Sequence, residues 1–316
     1  MSRLAGIGFA LFVAFAAAYA FAPRQGPAFP ATVARVETLL LLDGETAGAR
    51  LVIVGEHGAV FVSDDDGAHW QAANAPSRTA LTSVFFFDGR RGWAVGHDSL
   101  IIRTEDGGAN WLLVYSAPDE QKPLFDVWFS DGSRGFAVGA YGSFLQTADG
   151  GKSWQPRKII DDDKHLNALA RGLDGTLFIA GEAGTLLRSA DGGETWEALA
   201  APYRGSFFGV LGAADGGIVA FGMRGQIFRS QGNGDTWAAV ASGSQANLLG
   251  GRVLSDGTLI LVGQEGIILA SRDHGRTFAL QKTGTSDAHN AMLVTAAGDW
   301  LLLGERGVTR YAPAVK

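Results

Sequence analysis

Two histidines, two tyrosines and a scatter of arginines are the residues of this chain best suited to chemistry. His57 and His97 fall in equivalent or neighbouring turns, at Glu56-His57 and His97-Asp98. Two imidazoles could supply two zinc positions, but the spacing offers no third ligand. Tyr141 and Tyr203 could act as nucleophiles on an acidic sugar. That chemistry also needs a partner Glu, an Asp acid and an arginine cluster, and no Glu is paired with either tyrosine by sequence. Asp64-Asp65-Asp66-Gly67 resembles the start of a calcium loop but lacks the Glu at its twelfth position. Asp161-Asp162-Asp163 reads as a solvated acidic turn. Paired glycines lie between apolar strands and never open a helix, so there is no phosphate loop. No catalytic, cofactor-binding or metal-binding residue is assigned, and no cofactor is expected.

The same side chains read better as anchors of a binding surface, where Tyr and Arg are favoured. The set is Arg224, Arg306, Tyr141, Arg204, Tyr203, His57 and His97. What holds them is a repeat. The pattern Ser/Thr-x-Asp-x-Gly-x-Thr-Trp runs from Ser189 to Trp196 and recurs at Ser63–Trp70, Thr104–Trp111, Thr147–Trp154, Ser230–Trp237 and Ser271–Phe278. A period of about 40 residues marks a propeller or array. Each copy follows an apolar run and precedes another extended stretch, which places it in a hairpin turn. The carboxylates of Asp65, Asp106, Asp149, Asp191 and Asp273 can accept backbone N–H bonds and pin that turn. Trp70, Trp111, Trp154, Trp196, Trp237 and Phe278 then return to the sheet and bury a ring between neighbouring sheets. Gly232 replaces the Asp in the fifth copy, so that hairpin is expected to be the least well pinned.

A second marker, Gly-x-x-Gly after an apolar run, occurs at Gly55, Gly139, Gly181, Gly222, Gly263 and Gly304, and with Ser99 in place of the second glycine at Gly96. That makes seven units against six Asp motifs. Each unit reads as four short strands. The second is expected at Leu81 to Phe87, Gly92 to Val95, Leu100 to Arg103 and Trp111 to Tyr115. The fold class is therefore all-β: a seven-bladed β-propeller of four-stranded antiparallel blades, with the Asp hairpins at the rim. The seventh unit, from about His289, stops after Thr309 to Tyr311 without a fourth strand. An open edge invites foreign pairing, and Phe29 to Thr32 stands where a preceding fourth strand would be. That segment is expected to close the ring.

Residues 1–22 read as a signal peptide or an N-terminal membrane anchor. Arg3 precedes an uncharged run, and Ala18-Tyr19-Ala20 offers a cleavage site. Residues 23–32 form a linker with the closing strand, and 33–316 the propeller. A periplasmic location follows, with anchoring to the inner membrane as the alternative. Net charge is −6, with signs interspersed, which argues against nucleic acid. The chain has no cysteine, so thiol chemistry is excluded.

The Asp pattern resembles the Asp-box, or BNR repeat, of sialidases, sortilin-type receptors and other propellers. The Arg-Ile-Pro motif of sialidases is absent; Ala34-Arg35-Val36-Glu37 is only faintly similar. Together with Gly-Trp-Ala-Val-Gly (Gly92 to Gly96) and Gly-Phe-Ala-Val-Gly (Gly135 to Gly139), the repeats from about residue 35 onward resemble the Ycf48/Hcf136 family. That resemblance implies a seven-bladed propeller on the lumenal or periplasmic side of a membrane. It also implies a membrane-protein complex or its precursor subunit as partner, bound by a non-catalytic, monomeric scaffold. A glycan-binding or sialidase-like glycoside hydrolase propeller is the alternative.

Overall fold

A computed structural model describes residues 6–8, 35–281 and 284–313. The expected signal or anchor, apart from 6–8, lies outside the described residues, as do the linker and the closing segment at Phe29 to Thr32. The rest forms seven antiparallel sheets, each in sequence order. Six have four strands. The seventh, with His289–Val294, Trp300–Gly304 and Gly307–Tyr311, has three among the described residues. The second blade runs Leu81–Phe86, Gly92–Gly96, Leu100–Thr104 and Leu112–Tyr115, within a residue of the sequence reading.

The first strands of the blades are Leu41–Ala47, Leu81–Phe86, Leu124–Phe129, Leu166–Arg171, Phe207–Gly212, Leu248–Val253 and His289–Val294. Each packs against the next, and the last packs against the first, so they encircle the axis. Every one carries a register shift after its first residue. A bulge bends a strand and re-aims its side chains. Here the extra residue reaches sideways. Thr82 Oγ1 donates to Leu124 O at 2.6 Å, Asn167 Nδ2 to Phe207 O at 2.8 Å and Asn290 Nδ2 to Leu41 O at 2.9 Å. In three of seven joints the bulge thus ties a blade to the next one's innermost strand. The Asn290 bond closes the ring.

The core is a set of inter-blade clusters. The Asp-box aromatics join them: Trp111 and Trp154 fully, and Trp70, Trp196, Trp237 and Phe278 half-buried. The closing joint buries Leu41, Ile53 and Phe61 of blade 1 with Leu293, Leu301 and Leu303 of blade 7. Burying one such aliphatic side chain contributes roughly 1.5–3 kcal/mol, so the first and last blades are held by a core of ordinary strength.

Candidate functional site

The turn between the second and third strands is built the same way in each blade. The first glycine allows contact with the backbone just before that blade's first strand. A Cβ at Gly55, Gly96, Gly139, Gly181, Gly222, Gly263 or Gly304 would fall within 2.5 Å of a carbonyl oxygen there. The next residue, from Glu56 to Glu305, donates its N–H to that same carbonyl in all seven blades. The second glycine has positive φ, as its left-handed conformation requires. Ser99 takes this position with φ 50° and gains a bond from its hydroxyl to Lys122 O at 2.7 Å. Of the two residues between these positions, the second is itself left-handed at φ 51–58° in six blades: His57, Asp98, Tyr141, Ala183, Arg224 and Glu265. Blade 7 differs. Gly304 pairs directly with Gly307 across the two-residue turn Glu305-Arg306.

These turns and the links between blades open on one end of the ring, because every blade runs in the same sense. The Asp-boxes lie at the other end. On the turn face His57, His97, Arg204, Arg224 and Arg306 are exposed. His97 is not the tip residue of its turn; Asp98 is. His97 occupies the preceding position, shared with Glu56 and Glu182. Those two carboxylates accept the N–H groups of Leu40 and His165. Arg306 pairs with Asp287 at 3.0 Å. Arg204 and Arg224 have no ion pair among the described residues. Tyr203 is half-buried; its ring packs on Phe207 and Phe228 in the core between blades 4 and 5. The sequence offered it as a surface anchor, but packing against those two rings holds it inward.

Tyr141 is the prominent exposed aromatic, 54% accessible. Its ring stands edge-on to His165 at 5.1 Å, and His165 tilts against Phe125 at 5.7 Å. Beside them runs a groove of about 320 Å³ with Tyr115, Tyr141, Phe144 and Ile160 among its lining. Its rim carries mixed charge. Lys122 pairs with Glu120, Lys158 with Asp161, and Lys164 with Asp162. Asp161–Asp163 is thus an ion-paired, solvated turn. Such a groove can take an aromatic or aliphatic side chain and exchange its rim ion pairs for those of a peptide.

At the opposite end each complete Asp-box repeats one network. In blade 4 Ser189 Oγ donates to Asp191 Oδ1 at 2.8 Å and accepts the Gly193 N–H. Asp191 also accepts from Thr195 N and Oγ1. These hydrogen bonds, that from the Thr195 hydroxyl first, hold the Asp191 carboxyl far below the usual range. Asp65 and Asp149 are pulled down to about 2, chiefly by bonds from His69 and Ser153. At Asp273 burial is the largest influence and acts upward, but bonds from Thr277 and Ser271 outweigh it and bring the carboxyl to about 2. Asp106 is lowered in the same way against burial.

A second layer was not read from the sequence. An arginine of each preceding blade clasps the Asp-box of the next. Arg50 reaches Gly107 O, Arg103 Gly150 O, Arg157 Gly193 O, Arg188 Asn233 O, Arg229 His274 O and Arg310 Asp66 O. All six boxes are held, including the fifth. There Arg188 Nη1 bonds both Asn233 O and Asp235 Oδ1 at 2.7 Å, and Ser230 Oγ still accepts Gly234 N–H. The fifth hairpin therefore lacks the carboxylate but is pinned from blade 4. A signal was available: Arg103, Arg188 and Arg229 immediately precede the Ser or Thr of their own box. Ala270 takes that place in blade 6, whose neighbour has no box.

The channel wall holds two carboxyls that the sequence did not bring together. Asp43 and Asp126 lie on the first strands of blades 1 and 3, and Ser83 on that of blade 2 lies between them. Ser83 Oγ is 3.0 Å from Asp43 Oδ2 and 3.0 Å from Asp126 Oδ1. Burial pushes Asp43 up to about 7 and Asp126 up to about 6, against backbone N–H bonds that lower both. Beyond them Arg252 of blade 6 crosses to Glu45 at 3.1 Å and to Gly44 O.

Residues 114–257 match the family model described as Photosynthesis system II assembly factor YCF48. The chain is Ycf48-like. Over 66 residues it is 30% identical to the Photosystem II assembly lipoprotein Ycf48 of Synechococcus sp. (strain CC9902), a stretch that spans 20% of each chain. The match thus covers a fifth of that relative's length. Among solved structures the Ycf48-like ring superposes on YCF48 bound to D1 peptide with TM-score 0.71 at 20% identity, over 87% of this chain and 94% of that one. For YCF48 from Cyanidioschyzon merolae the values are 0.69, 17%, 88% and 97%. Virginiamycin B lyase from Staphylococcus aureus gives 0.73, 11%, 86% and 94%. At these identities the structural likeness establishes the seven-bladed fold. A lyase among similarly scored folds carries no catalytic inference.

Proposed function

We propose that this Ycf48-like propeller is an exported, non-catalytic scaffold that binds a segment of a membrane-protein client across its turn face and assists the client's assembly or stability. One observation carries the reading: Tyr141 stands exposed beside a groove lined by both apolar and charged side chains, on the face where left-handed tips present side chains. The likeness to a YCF48 solved with a D1 peptide supports a polypeptide as the occupant. Arg224 and Arg204, free of ion pairs among the described residues, and Arg306, whose Asp287 contact is exposed, serve as charged anchors around it. His57 and His97 are exposed on the same face. The turns are fixed by backbone contacts, so little ordering cost falls on the scaffold when it binds.

The apolar segment at residues 1–22 delivers the chain to the periplasm and, if retained, tethers it to the inner membrane. The curated relative is a lipoprotein, whereas this sequence has no cysteine to carry a thioether lipid. The test is crosslinking in the native host, followed by detergent extraction, affinity purification and mass spectrometry. Recovery of one integral-membrane complex, lost with Tyr141→Ala and weakened by the Arg224→Ala/Arg306→Ala pair, is the expected result. Recovery of no membrane protein, or capture indifferent to all three substitutions, would overturn it.

A further inference from the structure

We infer that Asp43 and Asp126 hold one proton between them through the hydroxyl of Ser83, and that this proton latches blades 1 to 4 around the channel. The argument begins with donors and acceptors. A serine hydroxyl has one hydrogen, yet Ser83 Oγ sits at 3.0 Å from a carboxyl oxygen on each side. It can donate to one only. With both carboxylates ionised, the other contact would set two acceptors against each other. A proton on either carboxyl removes the conflict. One carboxylic acid then donates to Ser83 Oγ, and Ser83 donates to the remaining carboxylate.

The remaining oxygens are already used: Asp43 Oδ1 accepts the Gly44 N–H and Asp126 Oδ2 that of Leu169. The oxygens that face Ser83 also accept a backbone N–H each, from Val84 on Asp43 and from Val127 on Asp126. Val84 belongs to blade 2 and Leu169 to blade 4. The chain Asp43–Ser83–Asp126–Leu169 therefore steps through four consecutive blades.

The charges around the pair favour the shared proton. Glu45 on the same strand as Asp43 adds negative charge, as does Asp126, while Arg252 of blade 6 faces Asp43 but is engaged by Glu45. Among the described residues, the strands packed against the pair bring no other cation to it. Arg50 is held at the rim by Asp64, and His289 at its strand's start is buried near Asp287 and Glu305. Arg171 lies at the far end of its strand, beside the Gly175 turn.

The sign follows from linkage. Both carboxyls lie above the ordinary value in the folded state. Their contribution is fully present below the unfolded carboxylate value near 4 and is lost as pH rises through about 6 to 7. The test compares denaturant unfolding of wild type, Asp43→Asn and Ser83→Ala across pH 5 to 8. The amide introduced by Asp43→Asn can donate to Ser83 Oγ at every pH. The unfolding constant of wild type should rise by up to about tenfold per pH unit more than that of Asp43→Asn, since one shared proton is involved. Equal slopes for the two proteins would overturn the inference. Infrared titration of the folded proteins supplies a second readout independent of stability. A protonated-carboxyl band persisting at pH 6 in wild type and clearly weaker in Asp43→Asn is expected; its absence in wild type, or equal bands in the two proteins, would equally overturn it.

Discussion

Replacing Arg229 by Met should destabilise the ring far more than the same change at Arg50, although both arginines clasp the Asp-box of the following blade. Arg229 is nearly buried, with its side chain 6% exposed. It donates from Nη2 to both oxygens of Asp215 at 2.9 and 2.7 Å, and from Nε to His274 O at 2.8 Å. Burial pushes the Asp215 carboxyl up, but Gly217 N–H, Arg229 and Arg276 outweigh it and hold it low. Removing one partner of a buried pair costs roughly 3–5 kcal/mol. Arg276 at 2.6 Å and the Gly217 N–H remain on Asp215, so the lower end applies, about 3 kcal/mol. Met preserves the stem's packing, so the loss reports on the guanidinium. Arg50 pairs with Asp64, 63% exposed, and surface pairs contribute about 0–1 kcal/mol. The assay is urea unfolding with thermal melts. A fall in Tm on the order of 5 °C is expected for Arg229→Met, and about 2 °C or less for Arg50→Met. A loss under about 1 kcal/mol at Arg229, or equal losses at both sites, would refute burial as the deciding factor.

Three further outcomes follow from the same structure. Trp154→Ala should cost roughly 3–5 kcal/mol in chemical denaturation. Trp154→Phe should cost well under half of that, because the buried Trp154 indole N–H has no acceptor among the described residues. The Asp-box carboxyls at about 2 contribute stability that is present above pH 4 and lost as pH falls through 4 to 2; melts from pH 5 to 2 should fall steeply, and less so in Asp149→Asn. The closing-strand expectation is tested by a chain beginning at residue 35. Val36 O abuts Gly307 of blade 7, as Ser77 O abuts Gly58 of blade 1. Gln71–Ala72, the fourth strand, precedes Ser77 by six and five residues, so the corresponding stretch is expected near residues 30–31. A large drop in Tm is expected, and an unchanged Tm would remove the closure model.

Much of the fold was legible because turn chemistry is local. Asp191, Thr195 and Trp196 lie within one hairpin, and their spacing alone dictates its shape. The exposed tips were legible for the same reason, except that His97 and Asp98 could not be ranked without backbone angles. What escaped needed register. Asp43 and Asp126 are far apart in the chain and meet only because two first strands bulge and flank a third. The arginine clasps join neighbouring blades, so no single repeat displays them whole. Tyr203 was misplaced because a link residue with a large ring can turn inward as easily as outward, and Phe207 and Phe228 decide that.

The turn with two glycine positions separates shape from identity. Backbone carbonyls set its geometry, and the tip keeps one left-handed conformation whatever side chain it carries. His57, Asp98, Tyr141, Ala183, Arg224 and Glu265 occupy superposable conformations with entirely different chemistry. The ring therefore resembles a lock cylinder whose pins can be cut independently. Any one can be exchanged for another cation, acid or aromatic without retuning the barrel. Point substitution at six positions would change the chemistry of this face without changing its shape, and a grafting experiment would treat those positions as a small, independently addressable alphabet.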